Sequence, residues 1–416
     1  MQRISTSMGQ NNFRYQNGLN ETTKNRIDGQ MQSQRSVNQL RDNPVNAAHS
    51  IRFQSKITRL ERYEDNAEHA INRLAVTEGS MAQAGNMMQR VRELTVQGAN
   101  GTYSAEDLRY MALEVNEYLE ELTHVANQKG ADGLSLFSGT RTDAQAFRVT
   151  HSSVAGTDQP MITRVEYTGN MASRQTQYAD GSLLETQFPG NRVFWAENQQ
   201  VWGANNVANF VVRQDSEIII NNETIALKAG DSIGGVIARI NQANVAVHAS
   251  LDPVENTLVL RTTEPHQVWL QDGEGSTVLS DLGLIVEGRS AHAPNNYHSG
   301  ARVSGGSAFD VLLQVRDALF AGDQERLGGM ALAGIDQALD TVNANRAQLG
   351  ARQVRLESVV ERISRDNVNY KGWDNQVRGL NFADAITDLK MMEMAMQASY
   401  ASASKILQPT LMDFLR

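Results

Sequence analysis

Residues 53–115 read FQSKITRLERYEDNAEHAINRLAVTEGSMAQAGNMMQRVRELTVQGANGTYSAEDLRYMALEV, and this stretch decides the architecture. In its first part, Phe53, Leu60, Ala67, Leu74, Met81, Met88 and Thr95 recur every seven residues, interleaved with Tyr63, Ala70, Thr77, Ala84 and Val91. Only Lys56, at the start of the second series, is charged. A 3.5-residue repeat held this long keeps one narrow apolar seam facing a partner helix, which predicts a coiled coil rather than a helix laid on a sheet. At 1.5 Å per residue the helix is roughly 65 Å long. Much of the seam is Ala, Thr or Met, so it allows close approach yet buries little area, and another part of the chain must cover it.

The pattern breaks at Gly98-Ala99-Asn100-Gly101-Thr102, after which Ser104 has the place of an N-cap with Glu106 and Asp107 in the first turn. A second helix follows, with Leu108, Met111, Val115, Leu119 or Tyr118, Leu122 and Val125 at helical spacing, and the short connection predicts an antiparallel hairpin. Upstream, residues 1–40 are polar with a thin apolar set of Ile4, Met8, Phe13, Tyr15, Leu19, Ile27 and Met31. Such a helix depends on tertiary partners for most of its stability. Asp42-Asn43-Pro44 marks the turn between the two helices.

From about Phe147 to Gly300 the chain changes to short β-branched and aromatic runs between Gly, Asn and Asp. Strands are expected at Arg164–Tyr167, Phe210–Val212, Glu217–Ile220, Thr224–Leu227, Val245–Ala249 and Thr257–Leu260, with a helix at Ile233–Ile240. Helix returns over Phe309–Phe320. A second heptad follows: Leu332, Ile335, Leu339, Val342, Arg346, Leu349, Gln353, Leu356, Val360, Ile363, Asn367 and Tyr370. This is the missing partner of the first seam, and its polar members Arg346, Gln353 and Asn367 read as register-setting positions. Gly372, Gly379 and Asn381 are expected to interrupt it, before a methionine-rich stripe of Phe382, Ala385, Leu389, Met392, Met396, Ser399, Ala403 and Ile406.

The expected fold is mainly α with a mixed α+β insert: a long antiparallel helical coiled-coil rod built from both chain ends, plus a β-rich central domain. Its expected division is 1–42 with 375–416 as terminal helices, 43–146 with 303–374 as the rod, and 147–302 as the insert. The thin stripes of the terminal helices make Met8, Tyr15, Leu19, Ile27, Met31, Leu389, Met392, Met396, Tyr400 and Ile406 the expected subunit-interaction residues.

Composition narrows the function. A net charge of -9 without a basic block lacks the footprint of a nucleic-acid binder. No run approaches the ~18 apolar residues of a membrane span, and the N-terminus lacks the apolar region of a cleavable signal peptide. Zero cysteines exclude thiolate chemistry, disulfides and cysteine zinc sites. They fit either a cytosolic chain that uses none or one exported unfolded, where stray thiols would cross-link. Gly230-Asp231-Ser232-Ile233-Gly234-Gly235 and Ala47-Ala48-His49 echo the neighbourhoods of a serine protease, but Ile233 changes the oxyanion geometry and His49 opens a heptad helix. The eight histidines show no HxxxH or HExxH spacing, and neither diglycine carries a phosphate-loop ending. No catalytic residue, metal site or cofactor is expected.

Both ends of the chain resemble the flagellin superfamily. Val91-Arg92-Glu93-Leu94-Thr95-Val96-Gln97-Gly98-Ala99-Asn100-Gly101-Thr102 is similar to its RELxVQxANGT segment, with Arg92, Glu93, Leu94, Gln97, Asn100 and Gly101 as the matching positions. Arg346 to Leu356 is similar to its RxxLGAxQxRL segment, through Leu349, Gly350, Gln353 and Leu356. Asn43 departs from the acid that the family commonly has there, which bears on the hydrogen bonding of that turn. Within the superfamily, Arg3-Ile4-Ser5-Thr6-Ser7-Met8 and Met396-Gln397-Ala398-Ser399-Tyr400 resemble the hook–filament junction branch (hook-associated protein 3 type) more than the filament branch, whose ending is more often QAN. Leu136-Phe137-Ser138-Gly139 fits either branch, and the module at 217–284 is shared by both. The resemblance implies a non-enzymatic, secreted flagellar subunit, exported unfolded by the type III apparatus with an export chaperone. It further implies a ring made with other copies of the chain, contacting the neighbouring hook-associated junction protein and flagellin, with no nucleic acid or membrane as partner. A filament flagellin is the alternative, and a secreted serine hydrolase using Ser232 the remote one.

Overall fold

The computed structural model describes residues 6–141, 145–154, 159–286 and 293–406. Three helices come first: α1 (Thr6–Ser33), α2 (Pro44–Ala99) and α3 (Ala105–Ala126). Strands β1 (Phe147–Ser153), β2 (Pro160–Tyr167), β3 (Gln175–Ala179) and β4 (Ser182–Glu185) follow, then a helical turn α4 (Gly190–Val193) and β5 (Gln200–Trp202). Next are β6 (Ser216–Ile220), β7 (Glu223–Leu227), helix α5 (Ile233–Gln242), β8 (Val247–Leu251), β9 (Leu258–Thr262) and β10 (Leu270–Asp272). A turn α6 (Val278–Asp281) and β11 (Arg302–Ser304) close the insert. The chain ends in α7 (Ala308–Ala321), a turn α8 (Gln324–Arg326), α9 (Leu332–Arg378) and α10 (Phe382–Ile406). It divides into two compact units, Met1–Asp65 with Val360–Arg416, and Asn66–Val359.

Helices α2 and α9 are the long antiparallel partners that the two heptads require. In the first unit Phe53 lies 6.2 Å from Tyr370 and 6.1 Å from Trp373 between ring centroids, and Lys371 pairs with Glu61 at 3.0 Å. In the second, Glu78 pairs with Arg346 and Arg92 with Asp336, each at 2.6 Å. Every seam residue of α2 from Leu60 to Thr95 is buried. The α9 seam departs from expectation at alternate positions. Ala338, Asn345 and Val359 are the buried members, and Leu339, Arg346 and Val360 sit half-buried on the flank. Small or short side chains fill the narrow gap, leaving the long Arg346 free to reach Glu78. Gly372 does not interrupt α9, which runs on to Arg378.

Local signals place the second unit's helix ends. Ser104 and Asp107 form a reciprocal capping box at the start of α3, and Ser307 with Asp310 repeats it at α7. Gly98 allows the end of α2 to meet both: a Cβ there would lie 2.6 Å from a Leu319 methyl, with Leu327 and Leu108 close behind. Helices α3 and α7 pack on one another and on β2. Phe147, Phe194 and Phe309 nest beside them with ring centroids 4.9–5.6 Å apart. Arg316 is buried here, donating from Nη1 to the Ile162 carbonyl at 2.6 Å and to Asn116 Oδ1 at 3.2 Å. A buried guanidinium costs several kcal/mol unless so engaged, and these bonds, with the Asp317 carboxylate, supply its partners.

Among the described residues every strand pair of the insert is antiparallel: the pairs β1-β2 and β3-β4, the sheet β10-β6-β7 and the sheet β11-β5-β9-β8. Helix α5 lies against β7 and β8 with Val236 and Ile240 inward, in a core with Ile218, Ile225, Leu258, Leu260 and Leu270. Phe210–Val212 is not a strand, since Val211 makes only an isolated bridge to Ser232. Its neighbour Val212 spends its backbone groups on the turn before α5, donating to the Asp231 carbonyl and accepting from the Gly230 N–H, so no ladder extends from it.

Candidate assembly surface

The first unit carries the terminal helices. Asn43 caps α2 without the family's acid: its Oδ1 accepts the Asn46 backbone N–H at 3.1 Å, ahead of Pro44 at the first helical position. Asp42 Oδ2 accepts from the backbone N–H groups of Asn38 and Gln39, tying down the turn between α1 and α2. Below it, Arg35 bridges Gly379, and Ser36 donates its backbone N–H to the Arg378 carbonyl at 2.7 Å.

From that junction α1 and α10 run antiparallel in contact. Lys24 faces Glu393 at 3.9 Å, Asn17 Nδ2 donates to the Tyr400 hydroxyl at 3.1 Å, and the Phe13 and Tyr400 rings meet edge to face at 6.4 Å. Ile27, Ala385 and Ala403 are buried. The remaining expected interaction residues fall into two groups. Met31, Leu389, Met392 and Met396 are half-buried, whereas Met8, Tyr15, Leu19 and Tyr400 are exposed. Sequence reasoning passed over further apolar side chains here, since Ile386, Met391 and Met394 are exposed too, off the 3-and-4 stripe. The Ile406 side chain and residues 1–5, including Arg3, Ile4 and Ser5 of the Arg3–Met8 segment, lie outside the described residues. The two helices therefore cover only part of their thin stripes with each other and leave several large apolar side chains exposed.

The two motif segments behave differently, as parts of the fold. Arg92 holds Asp336, which keeps its guanidinium pKa above the usual value, and Glu93 holds Arg90 at 2.9 Å. Leu94, Leu349 and Leu356 are buried, Gly101 turns the chain at φ 68°, and Asn100 donates its backbone N–H to the Gln97 carbonyl. Gln353 bonds Glu357 on its own helix, and Gly350 has no neighbour that a Cβ would meet. Arg352 and Arg355, in the second segment, reach β4 and β3: Arg352 donates to the Glu185 carbonyl, and Arg355 to the Tyr178 hydroxyl.

Ser232 is the residue before α5 and makes no side-chain cap bond, while His49 stacks on Phe53. Among the described residues no group of His, Asp and Glu could hold a metal ion, and no helix is long and apolar enough to cross a membrane.

Family models match both ends and part of the insert. The bacterial flagellin N-terminal helical region covers residues 4–142, the bacterial flagellin C-terminal helical region 332–415, and the flagellin hook IN motif 219–264. Flagellin A of Vibrio cholerae is 25% identical over 368 residues, 87% of this chain and 85% of the relative. Flagellin B of Vibrio anguillarum is 24% identical over 392 residues, 93% and 91% of the two chains. Among solved structures, the flagellar junction protein FlgL from Legionella pneumophila aligns with 19% identity and a TM-score of 0.44, over 80% of this chain and 100% of its own. Xanthomonas campestris FlgL aligns with 18% identity and a TM-score of 0.44, over 77% and 98%.

Proposed function

The chain belongs to the flagellin superfamily and is a structural subunit of the bacterial flagellum, and from that premise we propose that it forms the adaptor ring between hook and filament. Tyr400 carries the proposal. The segment Gln397-Ala398-Ser399-Tyr400 departs from the filament pattern QAN from Ser399 onward, and the ring and hydroxyl of Tyr400 are built into the helix pair through Phe13 and Asn17. A tyrosine there places an aromatic body against Phe13 and a polar tip against Asn17, where a smaller residue would leave the pair less defined.

In this reading 1–42 and 375–416 act as the assembly region, 43–146 with 303–374 as the coiled-coil body, and 147–302 as an outward insert. Copies of the chain are the first partners. The neighbouring hook-associated junction protein, flagellin and a type III export chaperone are the others, and the subunit works secreted, without catalytic chemistry. The curated relatives are themselves called flagellins, which favours filament flagellin as the second reading. Deleting the gene separates them: the adaptor reading expects intact hooks, no filaments and flagellin monomers released into the medium. Normal filaments in the deletion strain would contradict it.

A further inference from the structure

The sequence holds two Asn-Gly pairs, Asn17-Gly18 and Asn100-Gly101, and the fold treats them oppositely. Asn17 lies inside α1, where the Gly18 N–H belongs to the helical ladder. Its Nδ2 donates to the Tyr400 hydroxyl at 3.1 Å, and its Oδ1 is buried. Asn100 stands one residue past the end of α2, exposed, with its backbone N–H donating to the Gln97 carbonyl at 3.2 Å. Among the described residues neither the Asn100 side-chain amide nor the Gly101 N–H has a hydrogen-bond partner. Gly101 is exposed too and turns at φ 68°, and a Cβ there would stand 3.1 Å from Gln324 Oε1, so only glycine fits the position without strain.

Glycine is the following residue that least hinders attack on an asparagine side chain, since no Cβ covers its nitrogen. A helix blocks the same attack by holding that nitrogen in a hydrogen bond directed back along the axis, away from the side-chain Cγ. We propose that Asn100 is a site of spontaneous deamidation and that Asn17 is protected from it. The Gly101 nitrogen bonds to Asn100 Cγ as the Cγ–Nδ2 bond breaks, and the proton of that nitrogen leaves with Nδ2 as ammonia. Water then opens the succinimide at either carbonyl, giving aspartate or, with an extra carbon in the main chain, isoaspartate. Either product puts a carboxylate at the C-terminal end of α2, where the helix dipole disfavours negative charge. The change falls beside Gly98, whose close approach to Leu319, Leu327 and Leu108 leaves that helix end little room to adjust.

Timed incubation of the full chain at mildly alkaline pH, folded in one arm and in urea in the other, tests this by tryptic peptide mass spectrometry. The peptide 93–109 carries Asn100 as its only asparagine, and the peptide 15–24 carries Asn17, which fragment ions separate from Asn20. An isoaspartyl methyltransferase assay of the same peptides detects the isoaspartate. The expected result is that Asn100 converts at least tenfold faster than Asn17 in the folded chain, with isoaspartate among its products, and that urea brings the two rates together by releasing Asn17 from α1. Equal rates in the folded chain, whether fast or slow, overturn the proposal. So does a difference that urea leaves unchanged, because the fold would then not be its cause.

Discussion

His266 is the side chain whose environment makes the clearest demand on solution conditions. It is buried, and its Nδ1–H donates to the Glu264 carbonyl at 2.9 Å while Nε2 accepts from Asn221 Nδ2 at 2.8 Å, so the ring is held neutral. Asn221 is also the turn residue between β6 and β7, at φ 51°, and bonds the Val245 carbonyl and the Trp269 N–H. Burial lowers the His266 pKa to about 4. Because this is below the unfolded value of about 6.5, the stabilisation is complete above pH 6.5 and is lost as pH falls towards 4, where it levels off. The linked loss is at most about 3 kcal/mol. Urea unfolding of the insert followed from pH 7 to pH 4 is expected to show this decline in the parent and a shallower one in His266→Gln. Equal slopes would remove His266 as the cause. Asp272, raised by burial, acts in the opposite sense over the carboxylate range, and the paired comparison cancels it.

Among the elements, the helices were the most legible in the sequence and the short strands the least. The α2 seam from Leu60 to Thr95 could be read because a heptad forces one face inward regardless of what covers it. On α9 the same rule left a choice at each polar or small position, and Ala338 and Asn345 won it over Leu339 and Arg346 because the partner seam is narrow. Strands β5, β10 and β11 are three residues each and show no usable alternation, and β1 ends in His151-Ser152-Ser153, so these escaped notice. Of the candidate surface, the α1–α10 pairing was foreshadowed by two weak stripes. The capping boxes were half visible, since Ser104 and Asp107 stand in the right places. Ser104→Ala and Ser307→Ala each remove the acceptor of an orphan helix N–H and are expected to destabilise by about 1 kcal/mol. Thermal unfolding should place both below the parent, and an unchanged midpoint would mean that the packing of α3 against α7 alone sets those helix ends.

At the scale of the whole molecule, the second unit has its own core, in the Phe147–Phe194–Phe309 nest and the sheets of the insert, whereas the first depends on helix pairing. Removing residues 381–416 is therefore expected to leave the second unit folded and to abolish assembly. Circular dichroism that instead shows the entire helical signal collapsing would make the terminal helix part of a single cooperative core. The exposed side chains of Met391, Met394, Tyr15 and Tyr400 have a place in either a closed ring or an open filament, and only the number of copies tells the two apart. Quantitative mass spectrometry of purified flagella measures it directly. The adaptor account predicts a small fixed number per flagellum, one ring's worth, independent of filament length. Copies in the hundreds or thousands that rise with filament length would contradict it.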